Sequence, residues 1–323
     1  MITVNNIYKQ YGGKHALNGL SFTAENGSVL GFIGPNGAGK STAMRILCGV
    51  MPPTSGTVIV SGINLNEDSR AAREKIGYLP ENAPLYTGMN VTAFLRYCGG
   101  MRGLAGKKLE CAMGEAVEKC CLHDVLHEEL EALSKGFRRR VCLAQAIMHK
   151  PENLVLDEPT DGLDPDQKRE IRTLIDEIRE HSAVIVSTHI LEEIDAVCDS
   201  VLAIRGGYRV FYGSTAQFRA LDPEHGVIVM RFDAFLEEPF RSLADVELLA
   251  LERGGESGTE MTIRARSLGG SSSDAVASLV NAASANGLKL LGLEQRSGHL
   301  DEVFANLASP GRGREEAESC ITE

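Results

Sequence analysis

The spacing of apolar and polar residues divides the chain into alternating strands and helices, and its texture changes near residue 221. The pattern predicts strands over Ile2–Tyr8, Leu20–Ala24 and Ser28–Ile33, then a glycine-rich turn and a helix over about Lys40–Cys48. Two further strands are predicted at Thr57–Val60 and Lys75–Leu79. A largely helical block runs from about Asn90 to Lys150, with turn signals at Gly99-Gly100 and Gly103–Gly106. After it come an apolar strand, Asn153–Leu156, a helix from near Asp166, a second apolar strand, Ala183–Ser187, and a helix over about Ile190–Cys198. Such alternation predicts an α/β fold in which crossover helices connect the strands of a mainly parallel sheet.

Past the turn cluster Asp222-Pro223, strands are predicted at Val227–Phe232, Val246–Glu252, Met261–Arg264 and Lys289–Gln295, with helical patterns in two of the gaps. The order strand, helix, strand, strand, helix, strand is that of a ferredoxin-like split unit. A last helix is expected over about Leu300–Ala308, a loop at Gly269–Ser273, and a disordered tail over residues 309–323, rich in Gly, Arg and Glu. The expected domains are therefore residues 1–221, with a helical subdomain at about 84–150, and a small α+β domain at 222–308.

Composition narrows the function. The chain has 323 residues, of which 43% are hydrophobic, enough for two domains with sizeable cores. A formal charge of -11 argues against a general nucleic-acid binder, and 5% aromatics with no Trp argue against a base-stacking platform. No stretch approaches the roughly 18 apolar residues that span a bilayer, and the first residues lack an apolar signal core, so a cytoplasmic protein is expected. The eight cysteines form neither a CxxC pair nor a Cys/His cluster at zinc spacing and are expected to be reduced.

The chemistry begins at Gly34-Pro35-Asn36-Gly37-Ala38-Gly39-Lys40-Ser41-Thr42, which fits GxxxxGK[ST] between an apolar strand and a helix start. Glycines let the backbone curl so that N–H groups point at phosphate oxygens, and the helix amino terminus adds partial positive charge. Lys40 is expected to neutralise the β and γ phosphates of ATP, and Ser41 to ligate Mg²⁺. The strand Asn153–Leu156 runs into Asp157 and Glu158. Asp157 is placed to hold the metal through a water, and Glu158 to polarise the water that attacks the γ phosphate.

Together with these two motifs, the order of further segments over residues 1 to about 220 resembles the ATP-binding cassette (ABC) family. Leu133-Ser134-Lys135-Gly136-Phe137 resembles its signature sequence, Gly162-Leu163-Asp164-Pro165 the loop that crosses the dimer, and Thr188-His189 the switch histidine. The resemblance implies a P-loop cassette with an antiparallel β part, and two copies joined head to tail around two ATP molecules. Ser134 and Gly136 then contact the γ phosphate held by the other copy, and His189 donates to the γ phosphate in its own cradle. Tyr11 resembles the aromatic that stacks on adenine, with a core tyrosine as the competing reading.

Two segments depart from the family pattern. Glu81 stands where a Gln normally touches Mg²⁺ and links nucleotide to permease; an acid there can still ligate the metal, or simply face solvent. In the signature, Lys135 and Phe137 replace Gly and Gln.

A single cassette ending in Gly298-His299-Leu300-Asp301-Glu302-Val303-Phe304 resembles the ATPases of bacterial exporters whose permease is a separate polypeptide. That implies an integral membrane partner, a location on the cytoplasmic face of the membrane, and no nucleic acid. Leu300, Val303, Phe304 and Leu307 fall at helical spacing and are expected to cover the small sheet. Apolar Leu85, Tyr86, Met89, Phe94, Leu95 and Tyr97 are available either to core or to a permease groove. The alternative function is a soluble ABC ATPase that acts on a macromolecular complex without a permease.

Overall fold

A computed structural model describes residues 1–81, 86, 88–254, 260–268, 271–296 and 303–304. Two compact units divide the chain, Met1–Thr215 and Ala216–Asn306.

The first unit opens with an antiparallel sheet of β1 (Ile2–Tyr11), β2 (Lys14–Ala24), β4 (Ser55–Val60) and β5 (Ile63–Asn64), in the order β2-β1-β4-β5. Between its strands the chain contributes β3 (Val29–Ile33) to a second sheet and forms α1 (Lys40–Leu47). The second sheet continues with β6 (Ile76–Leu79), after α2 (Ser69–Glu74), and with β7 (Asn153–Asp157), β8 (Ala183–Thr188), β9 (Ser200–Arg205) and β10 (Tyr208–Ser214). Its order is β10-β9-β3-β8-β7-β6, parallel throughout except for the antiparallel β10 edge. β3, β7 and β8 are buried at every position, as strands covered on both faces should be.

One core joins the two sheets and α1. Phe22 and Phe32 meet edge to face at 5.8 Å within it, beside the fully buried Leu17, Leu20, Leu30, Met44 and Ile46. Each such side chain contributes roughly 1.5–3 kcal/mol by leaving water.

The helical block comprises α3 (Val91–Met101), α4 (Gly106–Lys119) and α5 (Lys135–Ile147), which pack on one another. Caps fix where these helices start: Asn90 Oδ1 accepts the Ala93 N–H at 2.8 Å, and Ser134 Oγ accepts that of Phe137 at 3.3 Å. α5 thus begins at Lys135, within the segment expected to be the signature. Phe94 and Leu95 are core, whereas Tyr86 and Tyr97 are exposed and meet at 5.4 Å; Met89 is half-buried and Leu85 lies outside the described residues. α6 (Pro165–Arg179) and α7 (Leu191–Val197) follow β7 and β8, with Asp164 Oδ1 capping Gln167 N–H at 2.9 Å and Pro165 in the first turn.

The second unit is a four-stranded antiparallel sheet of β11 (Ile228–Phe232), β12 (Val246–Gly254), β13 (Glu260–Ser267) and β14 (Leu290–Gln295), in the order β12-β13-β11-β14. α8 (Thr215–Arg219) precedes it, and α9 (Glu238–Arg241) and α10 (Ser272–Ala285) fill the two gaps. This is the ferredoxin-like arrangement. α10 starts at Ser272, inside the expected loop at 269–273, because Ser271 and Asp274 form a reciprocal capping box there. Of the expected last helix only Val303, which is buried, and Phe304 are described; Leu300, Leu307 and the tail lie outside the described residues. Among the described residues no helix is long and apolar enough to cross a membrane. Seven cysteines, all but Cys320, are free thiols, and burial raises Cys142 and Cys120 to about 12.

Candidate active site

Four loops leave the carboxyl ends of adjacent parallel strands: residues 34–39 after β3, Glu81 after β6, Glu158 after β7 and His189 after β8. This is where an open α/β sheet gathers its ligand-binding groups. Tyr11, Lys14, Ala16, Asn36, Gly37, Gly39, Lys40, Ser41, Thr42, Glu81 and Glu158 line one cleft of about 360 Å³.

The cradle needs its glycines. Gly39, at φ 111°, caps α1, and a Cβ there would stand 2.6 Å from the Ala16 carbonyl oxygen. A Cβ on Gly34 would stand 2.7 Å from the Ile204 carbonyl oxygen. Neither backbone atom can swing away as a side chain can.

Lys40 is 7% exposed, and its Nζ donates to the carbonyls of Gly34 at 2.6 Å and Pro35 at 3.4 Å. Burial lowers its pKa, and the negative charges of Glu158, Asp157 and Glu81 oppose that shift. Asp157 is buried; desolvation raises its carboxyl, the Ser187 hydroxyl that donates to Oδ1 opposes this, and Glu81 and Glu158 raise it further. Cation and carboxylates therefore act on one another across the same small space.

Glu158 adopts a left-handed backbone at φ 51°, unusual for a residue with a Cβ and of the kind that clusters at active sites. Its N–H donates to Ser187 O at 2.9 Å, and its Oε1 lies 3.0 Å from His189 Nδ1. With Nδ1 facing that carboxylate, Nε2 is the ring nitrogen that remains for a further partner.

Of the remaining expected residues, Tyr11 and Glu81 line the cleft, whereas Ser134, Gly136 and Asp164 do not. Tyr11 is 46% exposed, which removes the core reading; its hydroxyl is 2.9 Å from Met51 Sδ, and Lys9 Nζ stands 5.3 Å from the ring centroid. Glu81 is exposed, yet it lines the cleft and its charge is felt by Lys40 and Asp157. Ser134, Gly136 and Asp164 are not part of the cleft lining: the first caps α5, Gly136 packs against Gln167, and Asp164 caps α6. Lys135, the departure in the signature, pairs with Asp161 at 2.7 Å and holds that carboxyl below its usual range.

Three supporting residues escaped the sequence reading. Ser187 holds Asp157. Glu193 is 4% exposed and accepts from Thr160 and, at 2.9 Å, from Thr188, so it ties the loop after β7 to the end of β8. Arg139 donates to backbone carbonyls behind the acids. Their only signal in the chain is nearness to a motif, because partners tens of residues apart leave no local pattern.

Ser41, Asp157 and Glu81 offer hard oxygen donors of the kind Mg²⁺ takes. Among the described residues no three His, Cys, Asp or Glu side chains converge as a ready-made metal site. An ion bound at these oxygens would share them with nucleotide phosphates.

The family model for ABC transporters matches residues 17–161. The linearmycin resistance ATP-binding protein LnrL of Bacillus subtilis (strain 168) is 30% identical over 312 residues, which is 95% of this chain and 98% of that protein. The Nod factor export ATP-binding protein I of Rhizobium meliloti (strain 1021) is 34% identical over 66% of this chain and 64% of its own. A solved ATP-binding subunit of an ABC transporter superposes with a TM-score of 0.64 at 26% identity, covering 68% of this chain and 92% of that one. The cassette read in the loops is thus matched by family model, full-length relative and fold: the chain belongs to the ABC transporter family, as an ATP-binding protein and ABC ATPase.

Proposed function

We propose that the chain is the motor of an exporter: it hydrolyses ATP with Mg²⁺, closes head to tail on a second copy of itself, and drives a separate membrane permease from the cytoplasmic face. The observation that carries this reading is that one cleft is lined by Tyr11, residues of the phosphate loop, Glu81 and Glu158 together. Adenine stacks on Tyr11, and the loop N–H groups with Lys40 hold the phosphates. Ser41, Asp157 and Glu81 would hold Mg²⁺, which would supply charge neutralisation at the phosphate oxygens. Glu158 takes the proton of the attacking water, and His189, 3.0 Å from it, contacts the γ phosphate.

Ser134 and Gly136 open α5, and the helix amino terminus behind them suits an anion presented from outside the subunit. That is the basis for assigning them to the partner copy's γ phosphate, with Asp164 at the crossing loop. The relatives named for linearmycin resistance and Nod factor export support outward transport.

ATP turnover by the purified chain tests the reading. Turnover should vanish when EDTA removes divalent cations and return with Mg²⁺. Metal-independent turnover, or none under any condition with ATP bound, contradicts it. An integral membrane protein should accompany the chain through purification from detergent-solubilised membranes; capture of soluble complexes alone favours the permease-free alternative.

A further inference from the structure

β6 and β7 pair in parallel register up to Leu79 and Leu156. Pro80 then ends the ladder, because it has no N–H to donate. Beyond that point the two backbones that carry Glu81, Asp157 and Glu158 are joined by a side chain. Arg139, in the second turn of α5 and 5% exposed, spreads its guanidinium between them. Nη1 donates to Pro80 O at 2.8 Å and to Glu81 O at 2.7 Å, and Nη2 donates to Asp157 O and Glu158 O. Nε is buried with no partner among the described residues.

A buried charge held by four carbonyls, two from each strand end, is an unusual arrangement. Burial lowers the pKa of this guanidinium, yet its intrinsic basicity keeps it charged. The planar fork fits two pairs of acceptors at once; a lysine ammonium is a single point and cannot. One of the four carbonyls belongs to Glu158, whose left-handed backbone persists only where its surroundings hold it.

The geometry points to Arg139 as a positioning residue for hydrolysis: it sets the separation of Glu81 from Glu158 and, because it rides on the helix that Ser134 caps, makes that separation follow the position of α5. Nothing in this role requires contact with nucleotide. Arg139 thus differs from Lys40, which holds phosphate. The inference rests on the roles proposed above for Glu81 and Glu158.

The test compares Arg139→Lys, Arg139→Gln and Arg139→Ala with the full-length wild type. Fluorescent ATP analogue binding, steady-state ATP turnover and thermal unfolding are measured for each, and Glu158→Gln is run in parallel. The expected result is a kcat at least about tenfold lower in Arg139→Lys and Arg139→Gln, with nucleotide Kd within about threefold of wild type. Added guanidinium at millimolar concentration should restore part of kcat in Arg139→Ala and nothing in Glu158→Gln. Wild-type kcat in a folded Arg139→Lys overturns the inference, as does a fall in affinity that matches the fall in kcat, or the absence of rescue in a folded Arg139→Ala. If Arg139→Ala does not fold, Arg139→Lys and Arg139→Gln decide alone. Full turnover in Glu158→Gln removes the reading of Glu158 instead, so the two failures are distinguishable.

Discussion

Glu158 and His189 come from different strands, 31 positions apart, and meet at 3.0 Å between Oε1 and Nδ1. The carboxylate reaches there from a left-handed residue at the end of β7, and the ring from the residue after β8. A carboxylate whose backbone is left-handed and whose side chain meets an imidazole is held in place from both ends. His189→Ala is expected to lower ATP turnover on the order of 10²-fold, while Glu158 keeps its place on Ser187 O. Steady-state kinetics with a coupled phosphate assay checks it; turnover within twofold of wild type contradicts a role for the ring.

Lys40 supplies the buried positive charge in a cleft that also feels Glu158, Asp157 and Glu81. Lys40→Ala leaves those carboxylates facing an anionic ligand with their counter-charge removed. ATP affinity in equilibrium dialysis should fall at least about 100-fold, equivalent to roughly 3 kcal/mol. Wild-type affinity would refute the cradle assignment.

Gly39→Ala tests the loop without touching charge. The new methyl meets the Ala16 carbonyl oxygen at 2.6 Å and requires φ 111° of an L side chain. Steric and backbone costs together should lower unfolding free energy by at least about 1–3 kcal/mol and weaken ATP binding. Denaturant titration and nucleotide titration measure the two effects; a fully stable variant with normal affinity excludes this loop geometry.

His149, at the end of the helical block, makes stability depend on pH. Burial chiefly, and the nearby Arg102 charge, depress its ring from 6.5 to about 4, against an opposing hydrogen bond to Ile76 O at 3.2 Å. Nδ1 is buried without a partner among the described residues, so the neutral ring is the folded form. The unfolded chain binds the proton more tightly. The contribution is therefore complete above pH 6.5 and is lost as pH falls toward 4, to a limit of about 3 kcal/mol. Urea unfolding of wild type and His149→Gln at pH 7 and pH 4.5 should show the variant losing less; equal losses contradict the assignment.

The cassette was legible where chemistry is local. The glycine-rich loop and the strand ending in Asp157-Glu158 are contiguous in sequence and carry their own geometric reasons, whereas the signature was read by resemblance alone. Strands buried on both faces, such as Ala183–Thr188, announced themselves as apolar runs. Both β9 and β10 were missed: Ser200–Arg205 is a short buried apolar run close behind α7, and in the half-exposed Tyr208–Ser214 the consecutive Val210, Phe211 and Tyr212 break the alternation that marks an edge strand. Tyr11 could be separated from core only by its exposure, and Glu81 from bulk solvent only by the cleft it lines. Arg139 and Glu193 were silent for a different reason: a buried charge declares itself through partners on distant strands, and sequence spacing carries no trace of those.

Whether ATP brings two copies together is the point on which the proposed motor stands. Glu158→Gln should bind ATP and Mg²⁺ without hydrolysing it, and its mass in light scattering after size exclusion should rise from one chain to two on adding ATP. Reversal by Ser134→Arg, which places a bulky cation at the expected contact with the partner's nucleotide, should keep it at one. A Glu158→Gln chain that remains single at saturating Mg²⁺ and ATP, or a Ser134→Arg variant of it that still pairs, would contradict the shared site.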